Sequence, residues 1–181
     1  MQNSSDEGRE TPVLRGLGAA GLVLIAVGIG MALMPFVGPP LGLPFDGEQA
    51  LVLDRNRLLL HVFPGVVAAV SGFGLWYAQR GRVRNGRAYP EWLKPAIAVA
   101  VSVGIWSAIG PWAMEALMPA GASSSLMFQA IPSYGGLSSA DQLLLQFICH
   151  WLPGALALGA AWVALSQVRR LSPSNRAAAA S

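Results

Sequence analysis

Residues 58–79 read Leu-Leu-Leu-His-Val-Phe-Pro-Gly-Val-Val-Ala-Ala-Val-Ser-Gly-Phe-Gly-Leu-Trp-Tyr-Ala-Gln, bracketed by Arg57 and Arg80. No Asp, Glu, Lys or Arg interrupts the stretch, and as a helix rising 1.5 Å per residue it would cross a ~30 Å hydrocarbon layer. Three further windows are equally free of charge: residues 16–45, 95–114 and 142–168. The 181 residues are 54% hydrophobic and only 12% charged, about half the ~25% charge of an average chain. Such a composition excludes a soluble enzyme and a disordered tail protein. The fold class predicted is an all-α integral membrane protein, a bundle of four transmembrane helices near 14–36, 57–79, 94–117 and 141–168.

The basic residues orient the bundle. Arg80, Arg82, Arg84, Arg87 and Lys94 lie between the second and third spans; Arg169, Arg170 and Arg176 follow the fourth, and Arg9 and Arg15 precede the first. Only Arg55 and Arg57 fall at the opposite ends. By the positive-inside rule the richer side is cytoplasmic, with both termini inside a bacterial-type inner membrane. Trp76, Tyr77, Tyr89 and Trp92 flank the basic connection as an interfacial belt. The pI of about 9.6 is thus an orientation signal and needs no nucleic-acid partner. Residues 1–12 and 172–181 read as polar cytoplasmic tails around a 13–171 transmembrane domain. The acidic residues Asp6, Glu7 and Glu10, with no small-x-small cleavage site, make the first span an expected uncleaved anchor. Cys149 is the only cysteine, so no internal disulfide forms.

The spans repeat. His61-Val-Phe-Pro64-Gly65 and His150-Trp-Leu-Pro153-Gly154 share the pattern His-x-x-Pro-Gly, and Arg80 and Arg169 each follow 19 residues after the histidine. In the preceding spans, Met31-Ala-Leu-Met34-Pro35 resembles Glu115-Ala-Leu-Met118-Pro119. The expectation is a tandem duplication of a two-helix hairpin, with halves 13–92 and 93–171. Nineteen residues rise about 28 Å, which places both histidines, the only two in the chain, near the outer edge of the hydrocarbon layer. Pro64 and Pro153 each remove a helix hydrogen bond just beyond their histidine, while Gly65 and Gly154 are expected to leave space beside the imidazoles.

Two facing histidines in a four-helix bundle suit a b-type haem, since imidazole is a common axial ligand of haem iron. On that reading His61 and His150 ligate the iron, Gly65 and Gly154 make room, and Phe63 and Trp151 contact the ring. The arrangement would resemble a small membrane cytochrome b, an electron-transfer subunit partnered by a quinone or a redox protein. A different chemistry competes for the same end. Met31, Met34, Met114, Met118 and Met127 all fall toward the outer side, with Cys149 and Glu115, and soft sulfur with imidazole suits copper(I). Against both stands a cofactor-free accessory subunit or small transporter whose repeated motif serves only packing. Glu115 reads equally as a solvated interfacial residue or as an inward partner of the histidines. The outer connections, 37–56 and 118–140, are long and rich in Gly, Pro and apolar residues, fit to cover the bundle mouth or dock a partner. No phosphate-binding loop, dinucleotide fingerprint or hydrolase triad is present.

Overall fold

The computed structural model describes residues 11–37, 57–85, 90–117, 143–144 and 146–170. Four helices carry the fold: α1 (Thr11–Val37), α2 (Phe63–Asn85), α3 (Leu93–Leu117) and α4 (Leu152–Arg170). A π-helical turn enters α2 at Leu58–Val62, and another enters α4 at Phe147–Trp151. Each continuous helix contains a stretch long and apolar enough to cross a membrane: Gly16–Val37, Leu58–Gly81, Leu93–Pro111 and Phe147–Arg170. Helical pairing satisfies most of their backbone polar groups internally, the condition for a segment in lipid.

The helices are apolar all round. Leu22, Ile29, Val70, Phe73 and Trp162 stand outward and exposed, a girdle whose natural solvent is hydrocarbon. α2 runs further than the expected end at 79, continuing through the arginine-rich segment to Asn85. Arginine is a good helix former, and positive charge near a helix C-terminus complements the dipole. An apolar groove of about 530 Å³ lies on the outer surface of α2 and α3, lined by residues such as Val66, Val70, Gly74, Trp92 and Val99.

The helices pack as a square. α1 neighbours α2 and α4, and α3 neighbours the same two, which leaves α1/α3 and α2/α4 as diagonals. Small residues let the neighbours approach. A Cβ on Gly28 would strike the Gly65 carbonyl oxygen, and one on Gly72 would lie 2.5 Å from the Gly21 carbonyl oxygen. Gly21 thus meets Gly72 while Gly28 meets Gly65, so α1 and α2 run antiparallel. Between α3 and α4 the contact is looser: a Cβ on Gly154 would lie 2.9 Å from the Gly104 carbonyl oxygen.

Burial repeats along the chain. On α2, His61, Gly65, Ala68, Ser71, Gly72 and Leu75 are buried, and their counterparts 89 residues later on α4 are buried too: His150, Gly154, Ala157, Ala160, Ala161 and Ala164. Across α1 and α3 the matching interval is 76 residues, pairing buried Leu17, Leu24, Gly28, Met31 and Pro35 with Leu93, Ala100, Gly104, Ser107 and Pro111. The expected alignment of Met31–Pro35 with Glu115–Pro119 is therefore corrected. Helix packing is set by the glycine that faces the partner backbone, and Gly28 and Gly104 stand seven residues before Pro35 and Pro111. Pro119 itself lies outside the described residues.

Candidate functional site

The site begins with a missing hydrogen bond. Proline at 64 has no N–H for the Leu60 carbonyl, and proline at 153 has none for that of Cys149. The chain widens to accommodate this. The Phe63 N–H reaches back to the Leu58 carbonyl, and the Leu152 N–H to that of Phe147. Each is a span of five residues, where an α-helix uses four. Such π turns are rare and recur at functional sites. Here each one carries a histidine, so two uncommon backbone features present the same side chain at equivalent points.

The two imidazoles meet across the α2/α4 diagonal, with ring centroids 4.9 Å apart and planes tilted by 47°. Both are buried, His150 at 1% exposure and His61 at 5%. Nδ1 of His61 and both ring nitrogens of His150 are enclosed with no hydrogen-bond partner among the described residues. An unsatisfied buried polar group costs about 1–3 kcal/mol. Plain ring packing gives a similar separation but leaves that cost standing; a ligand shared by the two rings would remove it for one nitrogen of each ring.

The other diagonal crosses nearby. Met31 of α1 and Ser107 of α3, which are packing equivalents, touch at the bundle axis, Ser107 Oγ lying 3.6 Å from Met31 Sδ. The hydroxyl also donates to the Val103 carbonyl at 2.8 Å. Gly65 lies against Ala32, next to Met31, and Gly154 against Ala108, next to Ser107. With each glycine four residues beyond its histidine, the two crossings lie within about one helical turn, ~5 Å, along the axis. The imidazole pair and the Met31/Ser107 pair therefore occupy successive levels of the bundle, about one turn apart.

One π turn is tied down by a residue the sequence reading did not single out. The Trp106 indole N–H donates to the Leu59 carbonyl at 2.9 Å, capturing an acceptor that the widened turn has released. Gly110 gives the indole room, since a Cβ there would lie 3.2 Å from Trp106 Cε2 and 3.3 Å from Leu60 Cδ2. The counterpart of Trp106 on α1 is Gly30, which is exposed with no atom near it. The equivalent position thus offers no indole to the His150 turn. Arg57 and Gln146, each four residues before a histidine, are both buried as well.

Other expected site residues are placed differently. Gly65 and Gly154 are filled by the backbones of α1 and α3, so they make helix contacts and not space beside the rings. Phe63 is 62% exposed and Trp151 39% exposed, both on the outer surface. Cys149 is buried beside His150, and Met34 is half-buried. Met114 and Glu115 lie on α3 with side chains outside the description, and Met118, Met127 and the two outer connections fall outside the described residues. Among the described residues no group of three or more His, Cys, Asp and Glu comes together to hold a metal ion.

The ring spacing bears on what the pair can hold. With metal–nitrogen bonds of about 2 Å, two imidazoles on opposite faces of a haem place their centroids about 6 Å apart. The observed 4.9 Å is about 1 Å shorter, so a haem between the rings would require them to move apart. The same bond length gives 4.9 Å when the two nitrogens subtend an angle of roughly 105° at one ion, near tetrahedral. Comparison of the chain with known families, with curated proteins and with solved structures finds no match.

Proposed function

We propose that this is a metal-handling membrane protein whose working centre is one metal ion held between His61 and His150. The observation that carries the reading is the buried imidazole pair, 4.9 Å apart, with three ring nitrogens lacking partners among the described residues. Metal coordination would satisfy one enclosed nitrogen on each ring. The matched intervals of burial support a duplicated hairpin as the origin of the site, each half contributing one ligand. Arg80, Lys94, Arg169 and Arg170 at one end, against Arg57 at the other, support cytoplasmic termini in a bacterial-type inner membrane. The centre would then lie near the outer face.

A b-type haem is the second reading, favoured by two equivalent histidines on facing helices. It requires the rings to move apart by about 1 Å, and would make the chain an electron-transfer subunit serving a quinone or a redox protein. One preparation tests both. Full-length protein purified in detergent is analysed for metal and for reduced-minus-oxidised haem absorbance, beside His61→Ala and His150→Ala. About one metal ion per chain, lost in either variant, is the expected result. Haem absorbance lost in both variants selects the second reading. Cofactor content identical in all three proteins refutes the pair as a ligand set.

A further inference from the structure

We propose that the apolar groove on α2 and α3 binds an anionic phospholipid, which lays one acyl chain along it and sets its phosphate beside Arg80. The site stands apart from the His61/His150 reading. Length points there first. Along α2 the groove runs from Val66 to Tyr77, which is about 16 Å of helix. That is about half of a ~30 Å hydrocarbon layer, the depth of a single leaflet. A transmembrane helix of another subunit, or of a second copy, would lie against the full height of α2 instead. Chemistry agrees. Val66, Val70 and Val99 give the groove aliphatic walls, and its Ser71 is buried. An acyl chain covers such walls without stranding a polar group.

The two ends of the groove differ, and the difference orients the lipid. Tyr77 and Trp92 line one end, as amphipathic rings do at headgroup level. The Trp92 ring lies where α2 lacks a side chain, since a Cβ on Gly74 would stand 3.1 Å from Trp92 Cζ3. Arg80 follows Tyr77 by three residues, so it lies on the same side of α2 and about 5 Å further along. Its guanidinium carbon lies over the Trp76 ring, 3.9 Å from the centroid, which holds the charge at this level. Guanidinium is also the side chain best shaped to pair with phosphate. Residues 80–94 contain Arg80, Arg82, Arg84, Arg87 and Lys94 against one acid, Glu91, so charge favours an anionic headgroup over a zwitterionic one. The other end, at Val66, falls inside the charge-free stretch 58–79 and suits the tip of the acyl chain.

The test uses the full chain, stripped of lipid in detergent and titrated with phosphatidylglycerol or with phosphatidylcholine of identical acyl chains. Bound lipid is counted by native mass spectrometry. One phosphatidylglycerol per chain is expected to bind about fivefold more tightly than phosphatidylcholine, or better. Arg80→Gln is expected to lose about fivefold for phosphatidylglycerol and nothing for phosphatidylcholine, while Arg80→Lys keeps the preference. Val70→Trp fills the groove and is expected to weaken both lipids by about tenfold or more. Leu156→Trp, on the lipid-facing side of α4, is the control and alters neither. All three substituted side chains are exposed, so the bundle core is untouched. Equal binding of the two lipids, or unchanged binding in Arg80→Gln, overturns the headgroup assignment. Unchanged binding in Val70→Trp overturns the groove as the place of the acyl chain. A dimer that Val70→Trp converts to monomer puts a second copy on the groove and overturns the lipid.

Discussion

Consider an added methyl group at Gly65 compared with the same change at Gly154. The two glycines are equivalent in the repeat, so sequence alone expects equal effects. The structure does not. At Gly65 the new carbon would lie 2.6 Å from the Gly28 carbonyl oxygen and 2.7 Å from the Ala32 nitrogen, both backbone atoms of α1. At Gly154 the corresponding distances are 2.9 Å to the Gly104 carbonyl oxygen and 3.3 Å to the Ala108 nitrogen. Ordinary contact begins near 3.4 Å, so α1 and α2 must part by about 0.8 Å and α3 and α4 by about 0.5 Å. Backbone atoms cannot rotate away, and overpacking of this kind costs roughly 1–3 kcal/mol. Gly65→Ala belongs at about 2–3 kcal/mol and Gly154→Ala at about 1. For a chain of this size that corresponds to a melting temperature lower by roughly 5–10 °C and 2–4 °C. The assay is thermal unfolding of the metal-free protein in one detergent. Because each glycine lies four residues from a histidine and the displacement is larger at Gly65, Gly65→Ala is also expected to weaken metal binding more than Gly154→Ala. Equal losses, or a larger loss at Gly154, would refute the claim that the first hairpin contact is the tighter.

Three further outcomes follow from the site. His150→Leu removes both ring nitrogens that lack partners among the described residues, so the metal-free variant is expected to melt a few degrees above wild type, at about 1 kcal/mol or more per relieved group; a lower melting temperature would show that the imidazole is satisfied without a ligand. Trp106→Phe deletes the indole donor to the Leu59 carbonyl and is expected to cost about 1 kcal/mol, with faster amide exchange in Leu58–Val62 but not in Phe147–Trp151. Phe63→Ala is expected to leave metal content unchanged, because its ring faces outward; loss of metal on that substitution would place the ring back beside the site.

Much of the bundle was legible in the chain because a membrane imposes a simple rule: a span must be apolar over a fixed length. Four charge-free windows satisfied it, and four helices occupy them. The recurrence of His-x-x-Pro-Gly was also enough to mark His61 and His150 as equivalent. Glycine and methionine were harder to read. Gly65 can leave room for a cofactor or for a neighbouring backbone, and only the position of Gly28 decides between them. Met31 carries the same apolar signal as every other methionine until Ser107 is found against it.

Sequence alone therefore determined the solvent, the number of spans and the identity of the two histidines, since hydropathy, length and repetition are properties of one strand of residues. Tertiary structure decided which diagonals cross. It widened the helices into π turns ahead of two prolines, brought the imidazoles to 4.9 Å, and set Met31 against Ser107 within one turn of them. It also shifted the repeat of α1 and α3 to an interval of 76 residues. Those facts depend on how closely two backbones approach, and closeness between helices is fixed jointly by residues far apart in the chain.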